Sequence, residues 1–453
     1  MFTRMQIKFT HILRYRTMLL IVVLLTAFAS CTSHLEERFY VNTSHPEYKQ
    51  PEGTLASIPN ERRVFIMFSF GYNNLSYDLY EDIEDMIQGD LPEYGYRENV
   101  VLVLRHGTSK SYNYSQPSAP VLTHIYSKGE EIIYDTLKVY SDTTVAARKS
   151  VVNDVLNIAK KRFPAKHYGM LISSHATGWA PQGYCYSPPD KSSGTIFSLN
   201  ADQYEGPAKY HDESPLLKSV GSHYNGSPAR SIEIEIPDLA DAIPMHLDYI
   251  LFDACFMGCV EVAYELKEKC DKICFSQTEV LSGGMDYDTL LSVLFDKDGV
   301  DLTVCAENYF NMYKNQTASF MRSATVSVVD CQKLEPLAQI VARNSDAIRS
   351  LSESNERRNV QGYFQPRYSR YHGIFFDLED ILNKSNISDH DMEELQEALN
   401  DCILCKYSTN KFLDEFSINT HSGLSMYLPD SDREILNEYY KTLKWGKMTQ
   451  LIK

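Results

Sequence analysis

Four continuous apolar runs stand out along the first half of the chain. They are RRVFIMFSF (62–70), ENVVLVLRHG (98–107), HYGMLISSH (167–175) and LDYILFD (247–253). Runs without polar alternation are typical of strands that are buried on both faces of a parallel sheet. Segments with helical spacing, such as LSYDLYEDIEDMI and ARKSVVNDVLNIAKKRF, separate the runs. The pattern therefore predicts an α/β fold with helices on both sides of a mostly parallel sheet.

Weaker patterns complete the predicted architecture. THIYSKGEEIIYDTLKVY predicts a hairpin that turns at Lys128 and Gly129, and IEIPDLADAI predicts a short helix before the fourth run. Beyond residue 290 the spacing becomes more helical, at 334–341 and 392–399, and GLSMYLP (423–429) predicts a late strand. We expect a core over residues 62–290 and an α/β C-terminal extension, rich in helix, over 291–453 that packs on it.

Residues 1–61 carry the features of an export signal and a tether. MLLIVVLLTAFA (18–29) is apolar and too short to span a membrane, and small residues precede Cys31. This resembles a bacterial lipoprotein cleavage box, although Phe28 stands where Leu is usual. We expect a signal peptide over 1–30, lipidation at Cys31, a tether over 31–61 and membrane anchoring at the cell envelope or surface. Simple secretion is the alternative. Positive charges precede the apolar stretch: Arg4, Lys8, Arg14 and Arg16.

The net charge limits the expected partners, and the cysteine spacing limits the expected disulfides and metal sites. The formal net charge of −16 argues against nucleic acid, because phosphate binding needs a basic face. The ten cysteines show no disulfide framework, and Cys402 and Cys405 form a CxxC without a second pair or nearby His to complete a zinc site. We expect those two to be buried helix cysteines, and we predict no metal site from the spacing.

Two of the apolar runs lead into reactive side chains. One ends at His175 and another leads into Cys255. Sites in open α/β sheets form beyond the carboxyl ends of strands, so the two side chains converge if their strands are neighbours. A nearby base can activate a thiol, and a helix starting near Gly258 would favour the thiolate. The residues alone leave open whether Cys255 is a nucleophile or a buried structural thiol.

Longer motifs resemble one family. DACFMGCVEVAYEL (253–266), FPAKHYGMLISSHATGW (163–179), NNL (73–75) and SGLSMYLP (422–429) are similar, in order, to motifs of the clostripain family (C11) of cysteine peptidases in the caspase-like clan CD. The resemblance implies a caspase-like α/β/α sandwich. It implies Cys255 as the nucleophile, His175 as the general base and acid, and the backbone amides of Cys255 and Ala176 as the oxyanion hole. Ala176 stands where the family has Gly, so its methyl would crowd a backbone that needs positive φ.

The resemblance also implies substrate preference. Asp253 matches the acidic residue of the primary specificity pocket, which would pair with an Arg or Lys side chain. A second acidic residue is expected downstream, at Asp286 or Glu279. The alternative for Asp253 is a carboxylate that caps the following helix.

Two further features are implied by the family. The long polar stretch over 180–230 offers Lys218 and Arg230 as residues for self-cleavage, although such a loop can also remain uncut. No cofactor is required; calcium is used by some relatives, but the sequence has no EF-hand spacing.

The preferred interpretation is an exported, lipid-anchored cysteine endopeptidase acting on proteins or peptides after Arg or Lys. The alternatives are a catalytically weakened relative that binds proteins or peptides and, less favoured, a cysteine-dependent acyl transferase or non-peptide hydrolase.

Overall fold

The computed structural model describes residues 62–73, 75–93, 99–108, 118–182, 184, 233–363 and 373–453. Cys31, Lys218 and Arg230, together with the signal peptide, the tether and most of the long polar stretch, lie outside the described residues. Thirteen strands occur in the described part: β1 (Arg63–Phe70), β2 (Asn99–His106), β3 (Val121–Lys128), β4 (Glu131–Val139), β5 (His167–Ser173), β6 (Leu247–Asp253), β7 (Cys270–Phe275), β8 (Thr325–Asp330), β9 (Phe376–Asp377), β10 (Ile403–Ser408), β11 (Lys411–Phe412), β12 (Phe416–Ser417) and β13 (Ser425–Met426).

Twelve α-helices lie in the same described ranges. They are α1 (Asp78–Gln88), α2 (Lys149–Arg162), α3 (Ile236–Ala242), α4 (Val260–Leu266), α5 (Tyr287–Leu294), α6 (Leu302–Lys314), α7 (Glu335–Arg343), α8 (Ser345–Glu353), α9 (Leu378–Lys384), α10 (Asp389–Cys402), α11 (Glu434–Thr442) and α12 (Lys444–Thr449).

A nine-stranded sheet organises these elements. Its order is β10-β8-β7-β6-β5-β1-β2-β3-β4. The five central strands, from β7 to β2, run parallel, and the two strands on either side of them pair antiparallel. In β1, β2 and β5 every residue after the first is buried, as expected of strands with helices on both faces. Helix α5 contacts both α1 and α6 in one layer. In the second layer neighbouring helices follow in the order α2, α3, α4, α12, α7 and α10.

The predicted mostly parallel α/β sheet is therefore confirmed. The four apolar runs form β1, β2, β5 and β6, and the predicted hairpin is β3–β4, with Gly129 at φ 63° in its turn. The late strand predicted over 423–429 is present only as β13, which pairs with β9. None of the described helices is both long enough and apolar enough to cross a membrane.

The region after residue 290 contributes more strand than its pattern indicates. Strands β8 and β10 join the same sheet as β1 to β7, so the C-terminal extension completes the central sheet and does not only pack on it. Cys402 ends α10 on its buried face, as predicted. Cys405 belongs to β10, so the prediction of two helix cysteines is wrong for this residue.

Candidate active site

The strands that lead to His175 and Cys255 are direct neighbours in the sheet. Strand β5 pairs in parallel with β6, and Ser173 lies opposite Asp253 at their carboxyl ends. The amide of Ser174 continues this pairing by donating to the Asp253 carbonyl oxygen at 3.3 Å. His175 and Cys255 each follow two residues later, so both leave the same edge of the sheet from adjacent strands. His175 is 8% exposed and Cys255 is fully buried.

The Cys255 thiol contacts the segment that follows β7. The backbone amide of Val280 donates to Cys255 Sγ at 3.2 Å, and the Val280 carbonyl oxygen lies 3.8 Å from the same sulfur. The Phe256 amide donates to the Thr278 carbonyl at 2.9 Å, which holds the two segments side by side. An amide donor at the sulfur stabilises the thiolate form, as hydrogen bonds to a charged group do in general.

The helix after Cys255 begins close to its predicted start. Helix α4 starts at Val260, two residues after Gly258, with Cys259 in the preceding position. The amide of Gly258 donates to the Ser276 carbonyl at 2.7 Å, which keeps this part of the chain extended. A Cβ on Gly258 would lie only 2.3 Å from Gln277 Nε2, so this close approach requires glycine. The Val280 amide is a polar donor at the sulfur.

The loop that carries His175 packs closely against the loop that carries Cys255. Gly178 has φ 60°, and a Cβ there would lie 2.7 Å from the Phe256 carbonyl oxygen and 2.6 Å from the Phe375 ring. Phe256, itself at φ 59°, stacks on Phe375 with ring centroids 4.7 Å apart. Ala176 is buried but is not among the described residues with positive φ. Its methyl group is therefore compatible with the backbone, and the demanding glycine of this loop is Gly178.

Asp253 is buried on the same side of the sheet as the α5–α6 layer. Its Oδ2 accepts hydrogen bonds from Ser173 Oγ and from the Tyr287 hydroxyl, both at 2.8 Å. Burial, together with the negative charge of Asp253, raises the pKa of Tyr287 well above its ordinary value, so this phenol remains a neutral donor. Asp253 does not cap α4, because Cys259 holds that position. Asp253 is therefore a buried carboxylate that two neutral hydroxyl donors hold in place.

The two downstream acids lie in different surroundings. Asp286 accepts a hydrogen bond from Thr289 Oγ1 at 2.7 Å and lines a small cleft with Asn308. It is the next residue, Tyr287, that reaches Asp253. Glu279 is buried immediately before Val280, whose amide contacts Cys255 Sγ.

Sequence reasoning missed a second buried carboxyl near Asp253. Asp82, on α1, is 4% exposed. Burial is the largest cause of the raised pKa of Tyr287 on α5, and the charges of Asp253 and Asp82 raise this pKa further. Burial is the largest cause of the raised pKa of Tyr313 on α6, and Tyr309 is the next. The charges of Asp253 and Asp82 raise this pKa further. The available signal was the position of Asp82, three residues after Leu79, on the apolar face of α1.

The C-terminal residues form the packing beneath the His175 loop. Trp179 is buried, with its ring centroid 5.0 Å from those of Tyr427 and Tyr440, so it is a packing residue of this region. Glu261 of α4 accepts a hydrogen bond from the Tyr427 amide at 2.8 Å. Burial raises the pKa of Glu261 to about 7.

We expect Glu261 to make stability depend on pH. Its folded-state pKa of about 7 lies above the ordinary 4.5, so its contribution is fully present below pH 4.5 and is lost as the pH rises through 7. Urea unfolding of the wild type and of Glu261→Gln at pH 4.5 and 8.5 measures this loss. Relative to Glu261→Gln, the wild type should lose about 3 kcal/mol of unfolding free energy across that range. An equal difference between the two proteins at both pH values would contradict the assignment.

Use of calcium stays a prediction from the resemblance. Within the described ranges, no group of three or more His, Cys, Asp or Glu side chains is arranged to hold a metal ion.

Known proteins share features of this sequence and this fold. The model of the clostripain family matches residues 227–450, which include Cys255 and Asp253. No curated protein matches the sequence. Among solved structures, an inactive zymogen C11 protease from Parabacteroides distasonis has 24% identity and a TM-score of 0.66, covering 87% of this chain and 99% of that one.

A secreted C11 cysteine protease from Bacteroides thetaiotaomicron, iotapain, has 22% identity and a TM-score of 0.65, covering 86% of this chain and 100% of that one. At these identities the two structures establish the fold, which is shared over nearly their full length. The family match covers the Cys255 strand and the C-terminal residues that support it. The chain belongs to the clostripain family and is a cysteine peptidase.

Proposed function

We propose that the protein is an exported, lipid-anchored endopeptidase that cleaves after Arg or Lys through a Cys255–His175 dyad. The observation that carries the proposal is the pairing of β5 with β6, because Ser173 lies opposite Asp253 and both reactive side chains follow two residues later. Lipid attachment at Cys31 is supported by the apolar stretch and the small residues that precede it. Export is also supported by the description of iotapain as secreted.

The proposed reaction uses groups at this one edge of the sheet. The Cys255 thiolate, stabilised by the Val280 amide at 3.2 Å, attacks the scissile carbonyl carbon. The oxyanion is stabilised by the backbone amides of Cys255 and Ala176, and His175 donates a proton to the leaving amine. Water, deprotonated by His175, then hydrolyses the thioester and regenerates the thiol.

Selection of a basic residue follows from the charge beside the nucleophile. Asp253 ends β6 and lies two residues before Cys255, so a substrate side chain next to the reacting carbonyl would lie near this carboxylate. The second acids proposed for this pocket are Asp286 and Glu279, and Asp82 adds a buried carboxyl on the same side of the sheet. A guanidinium or ammonium would form a charge-assisted hydrogen bond there, whereas an acidic side chain would be repelled.

The experiment compares fluorogenic peptides that differ only at the residue before the cleaved bond. We expect hydrolysis after Arg and Lys, at least about 100-fold slower hydrolysis after Leu or Asp, and no hydrolysis by Cys255→Ala. Cys405→Ala is the matched control, because it removes a thiol on β10 outside the site. Equal rates for wild type and Cys255→Ala would refute the peptidase assignment; binding of the peptide without turnover would support the weakened relative instead.

A further inference from the structure

Two further cysteines lie close together at the end of the sheet opposite the candidate active site. Cys270 begins β7 and Cys331 directly follows β8, and their Sγ atoms are 3.8 Å apart. Both side chains are buried, at 0% and 1% exposure. The two strands are antiparallel neighbours, with Lys272 opposite Asp330, so the sheet itself brings the two thiols together. The peptidase reaction uses neither of them.

We propose that Cys270 and Cys331 form a disulfide bond that links β7 to β8. Sulfur atoms in van der Waals contact need to approach by about 2 Å to reach the bonded separation of about 2.05 Å, which side-chain rotation on adjacent strands can supply. The bond would close a loop that includes α5 and α6, the helices that pack against Asp253. Export to an oxidising compartment, which the N-terminal sequence predicts, is the setting in which such bonds form and persist.

The chemistry requires an external disulfide as the oxidant. One Cys thiolate attacks a sulfur of a small-molecule or thioredoxin-type disulfide and releases one thiolate, giving a mixed disulfide. The second Cys thiolate then attacks the protein sulfur of that mixed disulfide and releases the other thiolate. Two cysteine thiols are thereby oxidised, and one external disulfide is reduced to two thiols that take up the two protons. Cys331 lines a cleft of about 350 Å³ with His246 and Lys267, which gives the oxidant a route of approach.

The pair is well separated from the nucleophile. Cys270 pairs with Leu247 at the start of β6, whereas Cys255 follows the end of the same strand. The seven residues of β6 span roughly 20 Å. Cys255 therefore lies too far away to form a disulfide with Cys270 or Cys331, and a disulfide between those two does not compete with catalysis.

Peptide mapping of the wild-type protein tests the proposal. The protein, isolated without reductant, is equilibrated with oxidised glutathione, denatured in N-ethylmaleimide and digested under non-reducing conditions. We expect a Cys270–Cys331 crosslinked peptide in most molecules, and maleimide on Cys402 and Cys405 as internal controls. Maleimide on both Cys270 and Cys331 would overturn the proposal.

Thermal unfolding supplies a second readout. The Cys270–Cys331 disulfide closes a loop of about 60 residues, so reductant should lower the Tm of the wild type by about 5 °C. The double variant Cys270→Ala, Cys331→Ala should show no such shift, and Cys402→Ala should keep it. An equal response of wild type and double variant to reductant would count against the bond. If the double variant does not fold, the peptide map of the wild type still decides, and neither readout depends on peptidase activity.

Discussion

Replacing either Cys255 or His175 with alanine should lower kcat/KM for an Arg or Lys peptide by about 10⁴- to 10⁶-fold, and replacing both should cost no more than replacing one. The two residues act in one step, because the thiolate that attacks and the proton that leaves with the amine belong to the same transition state. Their positions after paired strand ends allow this coupling. Steady-state kinetics of the two single variants and the double variant measure it.

The control for this pair is another buried thiol. Cys274, on β7, is also buried, and burial raises its pKa well above the ordinary value. Cys274→Ala should retain activity within about threefold. Additive losses in the double variant would show that His175 acts independently of Cys255, and the dyad assignment would then fail.

Replacing Asp253 with asparagine should lower kcat/KM for Arg and Lys peptides by about 10²- to 10⁴-fold, since removing one member of a buried ion pair costs about 3–5 kcal/mol. Asparagine keeps the shape and an acceptor oxygen for Ser173 and Tyr287, but it loses the charge that attracts the substrate. Cleavage after Leu should change much less, so the ratio of the two rates is the informative measurement.

Asp286→Asn is the matched comparison for Asp253→Asn. The Asp286 carboxylate bonds to Thr289 and faces α6, so we expect its replacement to cost less than about tenfold. A larger loss for Asp286→Asn than for Asp253→Asn would assign the specificity pocket to the downstream acid. An unchanged preference for basic residues in both variants would place selection elsewhere in the molecule.

The central strands could be predicted because burial on both faces leaves a continuous apolar run. This holds for β1, β2, β5 and β6, whose order in the sheet then follows from their helical crossovers. Strands β7, β8 and β10 were missed. Each is only six residues long, and polar residues such as Lys272 and Lys406 interrupt their runs, so pairing across the sheet decides their structure, which local sequence does not encode.

The site was partly predictable for a related reason. Residues that follow strand ends can be read from sequence, so His175 and Cys255 were identified as candidates, and the family resemblance added Asp253. The contacts around them join distant segments: Val280 with Cys255, Tyr287 with Asp253, and Tyr427 with Glu261. Residues 256–258 also pair with 276–278, an interaction that no helical pattern reveals.

The membership of β8 and β10 in the central sheet has a consequence for shortened forms of the protein. A chain that ended at residue 290 would keep every candidate catalytic residue, but it would leave the backbone N–H and C=O groups on one side of β7 without their strand partner. Such an open edge recruits strands from other molecules and promotes aggregation. The segment bearing His175 and Cys255 is thus not an autonomous folding unit, and solubility, before catalysis, would be the first property lost on truncation.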